Sequence, residues 1–218
     1  MLETLNQLDQ ELLLFLNSLH TPFLDTFMFI TSGKLIWGIL YGAILTNIIR
    51  THGWKNGLII TLALVVVIVL CDQIASGLLK PTIQRFRPSR DPILGDLVHT
   101  VNNYRGGKYG FASSHASNVF GLVTFCTLLF KRRSITLFLL PWAIIVSYSR
   151  IYLGVHYPGD ILAGATIGIL SGALVYKSLV WIKLKPLFRQ GPTKPLWLTV
   201  PFMGCATFFI ILIIAIIK

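Results

Sequence analysis

The amino-acid sequence predicts an all-α fold, a polytopic membrane helical bundle of about six transmembrane helices preceded by an N-terminal amphipathic helix in the membrane interface. Three observations lead there. Of 218 residues, 54% are hydrophobic and only 12% are charged, where a soluble domain of this size carries about 25% charge. Several apolar runs approach the roughly 20 residues a helix needs to cross about 30 Å of hydrocarbon. Their sum leaves no room for a separate soluble domain, so residues 1–218 are expected to form a single integral membrane domain.

Leu2, Leu5, Leu8, Leu12, Phe15, Leu16 and Leu19 recur at helical spacing between polar residues, the pattern of a helix lying in the interface rather than crossing it. Acidic residues stand where a secretory leader would carry basic ones, and no small-residue cleavage site follows, so this stretch does not read as a signal peptide. Spanning segments are expected near residues 25–49, 57–79, 114–130, 134–152, 160–182 and 196–217. Gly33 and Lys34 interrupt the first and mark a kinked or two-part helix. Cys71, Cys126 and Cys205 fall inside apolar segments with neither zinc-site spacing nor a disulfide framework, and read as buried thiols.

The net charge of +11 does not indicate a nucleic-acid partner, because the basic residues form no aromatic-interleaved soluble patch. Topology explains part of it. With six crossings, the connections at 50–56, 131–133 and 183–195 share one side and hold Arg50, Lys55, Lys131, Arg132, Arg133, Lys183, Lys185, Arg189 and Lys194 without one acidic residue. The positive-inside rule makes that side cytoplasmic. The 80–113 loop, the 153–159 turn and both termini are then expected to face outward.

The remaining cations collect at outward helix ends: Lys80, Arg85, Arg87 and Arg90, then Arg150, with His115, His156 and Asp160 beside them. Arginine forks and a lysine point charge converging there suit a phosphoryl group, although juxtamembrane Lys and Arg also meet lipid headgroups. In FASSHASNVF, Ser113, Ser114 and His115 sit where a polar loop becomes a helix. Free amides and the helix dipole favour an anion at that point; an ordinary serine N-cap is the competing reading. In SRIYLGVHYPGD, Arg150 ends one helix and Asp160 lies in the first turn of the next, with His156 on the turn and Pro158 at the helix start. An aspartate bonded to one ring nitrogen would fix the histidine tautomer and leave the other nitrogen free to attack.

Read together, KPTIQRFRP at 80–88, ASSH at 112–115 and SRIYLGVHYPGD at 149–160 resemble the three signature motifs of the type 2 phosphatidic acid phosphatase (PAP2) superfamily. The first and third match completely. The second departs twice, with Ala112 for the family's proline and Ser114 for its glycine. The span from about 57 to 182 resembles the family's catalytic core. The resemblance implies a metal-independent site with no cofactor, in which Lys80, Arg87, Arg150, Ser113 and the amide of Ser114 bind the phosphoryl oxygens. It implies His156 as the nucleophile, Asp160 as its orienting partner and His115 as the acid that protonates the leaving oxygen, through a phosphohistidine.

The expected activity is therefore hydrolysis of a phosphomonoester or pyrophosphate on a membrane lipid, on the outward face of a bacterial inner membrane. Undecaprenyl pyrophosphate ranks first, lipid A second, with phosphatidylglycerol phosphate and phosphatidic acid as further candidates; no obligatory protein partner is evident. A vanadium haloperoxidase of the same superfamily is disfavoured by the membrane spans. A lipid-phosphate binding or transport protein that lost turnover is disfavoured by His115, His156 and Asp160. Asp72, about two turns before Lys80, is expected to position that lysine. Tyr104, Arg105, Lys108 and Tyr109 read equally as a headgroup-selecting lid or as interface lining, and His20, His52 and His99 as bystanders.

Overall fold

A computed structural model describes residues 2–182 and 198–217 of the chain. Among them the architecture is helical throughout, with one isolated antiparallel bridge between Phe86 and Tyr109. The helices are α1 (Leu2–Ser18), α2 (Pro22–Thr31), α3 (Gly38–His52), α4 (Trp54–Ile83), α5 (Ser114–Phe130), α6 (Arg133–Tyr152), α7 (Pro158–Trp181) and α8 (Thr199–Ile217).

Helix α1 leaves Leu5, Leu8, Leu12 and Phe15 exposed while Leu13 and Asn17 are buried, as an interfacial helix with one face on the bundle requires. Asn17 fastens it, donating to the carbonyls of Tyr152 at 2.7 Å and His99 at 3.1 Å. The chain then bends by 115° into α2. That start is encoded locally, with Thr21 accepting from the Leu24 amide as N-cap and Pro22 at the first helical position.

The span expected at 25–49 is not one helix. Helix α2 stops after 10 residues, about 15 Å of rise and too short to cross. A break at Ser32–Trp37 follows, in which the Trp37 indole donates to the Thr31 carbonyl at 3.0 Å. Backbone groups freed by Gly33 and Lys34 are thus partly re-satisfied by a side chain, as an interrupted membrane helix needs. Among the described residues four helices are long and apolar enough to cross, namely α4, α6, α7 and α8, or five spans if bent α1–α2 counts as one. The expected number of six is therefore approximate. Helix α5, at 17 residues, is shorter and packs between α4, α6 and α7.

Near its end α4 widens to π-helical geometry over Gln73–Leu79 before Lys80, the kind of bulge that often marks a functional end of a helix. The main core fills the space between α3, α4, α5, α6 and α8, around Ile48, Val67, Phe125, Trp142 and Ile211. Of the three cysteines, Cys71 and Cys126 are buried, but Cys205 is exposed, because its side of α8 faces outward from the bundle. The basic connection at 183–195 lies outside the described residues.

Packing of α5 on α7 is the most extensive in the bundle and fixes the site. A Cβ on Gly168 would lie 2.3 Å from the Ser117 carbonyl oxygen. Gly164 and Gly172, one turn to either side, meet α5 in the same way. Between membrane helices the attraction comes from close van der Waals contact rather than from the hydrophobic effect, so small residues at four-residue spacing set the approach. The result brings the N-termini of α5 and α7 side by side, and the Ser113 amide donates to the Asp160 carbonyl at 3.0 Å.

Candidate active site

Three corners of the chain meet at one end of the bundle. After α4, residues 85–87 run extended and pair with residues 108–110: the Arg87 amide donates to the Lys108 carbonyl at 3.1 Å and the Gly110 amide to the Arg85 carbonyl at 2.8 Å. This pairing aims Arg87 inward, where its Nε donates to the Tyr109 carbonyl at 3.2 Å and its Nη1 to the Val155 carbonyl at 3.2 Å. Gly110 has to be small, because a Cβ there would come 2.9 Å from Asp160 Oδ2.

His156 sits on the turn between α6 and α7 and is 1% exposed; Asp160 is fully buried. Pro158 at the start of α7 puts Asp160 in its first turn, where Oδ2 accepts from the Tyr157 amide at 3.1 Å and so caps the helix. The same oxygen lies 3.2 Å from His156 Nδ1. On the other side of the ring, Arg87 Nη1 is 3.3 Å from Nε2. A guanidinium only donates, so Nε2 is the acceptor and Nδ1 carries the proton toward the carboxylate. Burial, then the cations Arg87, Arg150 and Lys80, hold the imidazole well below its usual protonation range, against an opposing effect of the Gly110 backbone. The ring is therefore neutral, with a lone pair on Nε2. Burial and the neighbouring Arg150 also lower Arg87 from its ordinary value.

Lys80 donates to Ser114 Oγ at 3.3 Å and to Ser76 Oγ at 2.9 Å, and Ser76 lies 3.4 Å from Asp72 Oδ1. Asp72 thus reaches the lysine through a serine relay one turn away, an intermediary the sequence reading did not include. Ser113 is the N-cap of α5 and its Oγ accepts from the Ala116 amide at 3.4 Å, so the capping and anion-binding readings of this serine share one residue. The hydroxyl proton is left for another acceptor.

Arg150 is buried near the end of α6 and donates to Ser32 Oγ in the α2–α3 break and to the Tyr104 hydroxyl at 3.2 Å. Burial alone would raise the Tyr104 phenol, but Arg150, by charge and hydrogen bond, brings it below its ordinary value. Of the loop residues weighed as a lid, Tyr104 enters the site. Arg105 instead donates to the Ser89 carbonyl at 3.4 Å, and Lys108 lies over the rings of Phe86 and Tyr109. His99 pairs with Asp25 at 2.9 Å and stacks on His20, outside the motif residues.

His115 faces two cavities. The smaller, about 280 Å³, is walled by Phe29, Ser32, Lys34, Tyr104, Arg150 and His115 among others. The larger, about 420 Å³, is almost wholly apolar and runs between α3, α4, α5 and α6, past Trp37, Tyr41, Leu64 and Val119. They share Ser32, Gly33, Lys34 and His115. A pocket that carries Lys34, Arg150 and His115 in its wall and joins an apolar cleft in the bundle suits an amphiphile with an anionic head. Lys34, read from sequence only as an interruption of a helix, stands at their junction.

Of the eight expected site residues, the structure brings Arg87, His156 and Asp160 into one hydrogen-bonded row and Lys80 onto Ser114. Only His115 and Arg150 line the cavities; Arg87 and His156 are buried beside them. Sequence reasoning counted Arg85 among the cations at the helix end but gave it no role in the site, where it donates to Asp160 Oδ1 at 3.1 Å; its place two residues before Arg87 inside the first motif was a usable signal. It also left out Asp9, whose partners Arg85 and Gly159 lie 76 and 150 residues away and leave no trace in local spacing. Among the described residues, no three His, Cys, Asp or Glu side chains group as metal ligands.

Comparisons with known proteins identify the family. The chain is 45% identical over 178 residues to a lipid A 4'-phosphatase of Bacteroides thetaiotaomicron, covering 81% of this chain and 79% of that one. It is 36% identical over 194 residues to a lipid A 4'-phosphatase of Porphyromonas gingivalis, covering 89% and 82%. In fold it resembles the crystal structure of a transmembrane PAP2-type phosphatidylglycerolphosphate phosphatase from Bacillus subtilis, with a TM-score of 0.63 and 22% identity over 82% of this chain and 88% of that chain. The family model for the PAP2 superfamily matches residues 57–184, a stretch that holds all three motifs, and the chain is a multi-pass membrane lipid phosphatase belonging to the PAP2 superfamily.

Proposed function

We propose that the enzyme removes the 4'-phosphate of a lipid A-type glycolipid at the outward face of the bacterial inner membrane, without a metal, through a phosphohistidine on His156. The observation that carries the chemistry is the His156 ring itself: Nδ1 directed to Asp160 at 3.2 Å and Nε2 left as an acceptor in front of Arg87. The names of the two relatives support the substrate, and reverse the order in which the sequence ranks lipid A and undecaprenyl pyrophosphate.

In this reading the lipid enters sideways, its chains in the apolar cleft and its head in the pocket walled by Arg150, His115 and Lys34. The phosphoryl oxygens take Arg87 away from Nε2 and engage Lys80, Arg87, Arg150, the Ser113 hydroxyl and the Ser114 amide at the α5 N-terminus. Nε2 attacks phosphorus in line while these donors stabilise charge on the equatorial oxygens. The P–O bond to the lipid breaks, and His115, which takes up a proton as the dianionic phosphoryl group binds beside it, gives that proton to the departing oxygen. It then takes a proton from water, which attacks the phosphohistidine and releases phosphate with His156 neutral again.

Outward orientation is supported by the basic helix ends opposite the site, Arg50 with Lys55 and Lys131 to Arg133. The test is release of inorganic phosphate by purified protein with EDTA present, from lipid A, undecaprenyl pyrophosphate and phosphatidylglycerol phosphate in parallel. Preferred turnover of lipid A, retention of its 1-phosphate and loss of all turnover in His156→Ala are expected. Inhibition by chelator or an active His156→Ala enzyme would refute the mechanism. Preference for another lipid would refute the substrate alone.

A further inference from the structure

Arg85 stands outside the phosphate-binding set, yet it joins two parts of the molecule remote in sequence. Its Nη1 donates to Asp160 Oδ1 at 3.1 Å and to Asp9 Oδ2 at 2.8 Å, and its Nη2 to Asn6 Oδ1 at 2.9 Å. Its guanidinium lies over the Tyr157 ring at 3.9 Å. Asp9 in turn accepts from the Gly159 amide at 2.7 Å with its other oxygen. Asn6 and Asp9 lie on α1, on the same face as the buried Leu13 and Asn17 and turned from the exposed leucines. The interfacial helix thus reaches the residue that holds the ring of His156.

We propose that Arg85 is a positioning residue for the Asp160–His156 pair, and that α1, seated in the membrane interface, is the clamp that holds Arg85 in place. Asp160 is fully buried, and its Oδ2 is already occupied by the Tyr157 amide and His156. Arg85 supplies the charge-assisted bond to its second oxygen. Without that bond a buried carboxylate keeps its charge uncompensated on one side and rotates toward other donors, with Arg87 and Lys80 as the remaining cations acting on it. His156 Nδ1 then loses its fixed acceptor, and Nε2 its aim. Asp9 keeps Arg85 from swinging out: Arg85 is 22% exposed and Asp9 14%, so the pair closes the site on the side where α1 lies. The structural consequence is a site completed only when α1 rests on the bundle end, the position its apolar face takes on a bilayer.

This inference rests on His156 as nucleophile. The test uses full-length protein in liposomes, with short-chain phosphatidate as probe, and measures kcat and KM for Arg85→Ala, Arg85→Lys, Asp9→Ala, Asp9→Asn and the Asp9→Ala/Arg85→Ala double variant. Arg85→Ala is expected to lose about 10²-fold in kcat with KM within about twofold, and Arg85→Lys to recover part of it, as for a group acting through the reacting atoms' support. Both Asp9 variants are expected to lose about 10-fold, and the double variant to be no worse than Arg85→Ala, because residues in one network do not act additively. Leu8→Ser with Leu12→Ser, on the exposed face of α1, is expected to lower kcat in the same sense as Asp9→Ala. A rise in KM at unchanged kcat would make Arg85 a substrate contact. Additive losses would disconnect Asp9 from Arg85, and an unaffected leucine variant would remove the clamp; each overturns the proposal. If His156→Ala is inactive while the Arg85 variants are fully active, only this inference fails. If His156→Ala remains active, the reading beneath it fails.

Discussion

Replacing Arg87 separates two effects that one residue exerts. The guanidinium is buried, donates to the Tyr109 and Val155 carbonyls and lies 3.3 Å from His156 Nε2. As a donor to the phosphoryl oxygens its loss removes one preorganised charge contact, worth on the order of 10²–10³ in kcat, or about 3–4 kcal/mol. As a cation beside His156 it also holds the imidazole below its ordinary protonation range, second only to burial. Removing a positive neighbour makes protonation easier, so the folded-state value of His156 rises toward that of a free histidine, near 6.5. Attack needs the neutral ring, and kcat/KM reports the free enzyme, so the acid limb of its pH profile moves to higher pH in Arg87→Ala. Arg87→Lys keeps the charge without the fork and is expected to lose rate with a smaller movement of that limb. The assay is phosphate release from a lipid phosphate in detergent across the pH range, with thermal unfolding as a check of the fold. A loss of rate uniform in pH, or a limb moving to lower pH, would refute the assigned coupling between Arg87 and His156.

Gly168→Ala puts a Cβ 2.3 Å from the Ser117 carbonyl oxygen, and overpacking of this kind costs about 1–3 kcal/mol; a lowered unfolding temperature with reduced activity is expected, and an unchanged one would mean that the α5–α7 contact is not limiting. Lys34→Ala, at the junction of the two cavities, is expected to raise KM several-fold while kcat changes little, and more so for a substrate with a second anionic group; a selective fall in kcat would place Lys34 in the chemical step. Asn103→Cys, in the 80–113 loop, is expected to react with an impermeant thiol reagent once the outer barrier is opened and before lysis; labelling only after lysis would invert the orientation.

How far these features are legible in sequence depends on the range over which their causes act. Lys80, Arg87, Arg150 and His156 could be assigned to helix ends because each follows or precedes an apolar run, and a run's length is a local property. The α2–α3 break could be placed at Gly33 and Lys34 for the same reason. Its consequence could not: the break gives Arg150 a partner in Ser32 and sets Lys34 between the cavities, contacts that cross more than 100 residues. Gly164, Gly168 and Gly172 form a four-residue repeat on one helix face that the sequence reading did not include, and the repeat alone does not name the helix that fills it. Cys205 shows the reverse limit, since an apolar segment does not say which side faces neighbouring helices and which faces lipid.

By itself the sequence determined that this chain is a helical membrane protein carrying a cluster of cations and two histidines at one end, because hydropathy and motif spacing act over tens of residues. Only the tertiary structure decided that His156 presents Nε2 toward Arg87 and Nδ1 toward Asp160, that the pocket beside Arg150 meets an apolar cleft at His115, and that Asp9 of the N-terminal helix reaches Arg85. Those depend on distances of about 3 Å between segments up to 150 residues apart, and such distances are set by the close approach of α5 to α7 and by the bend after α1.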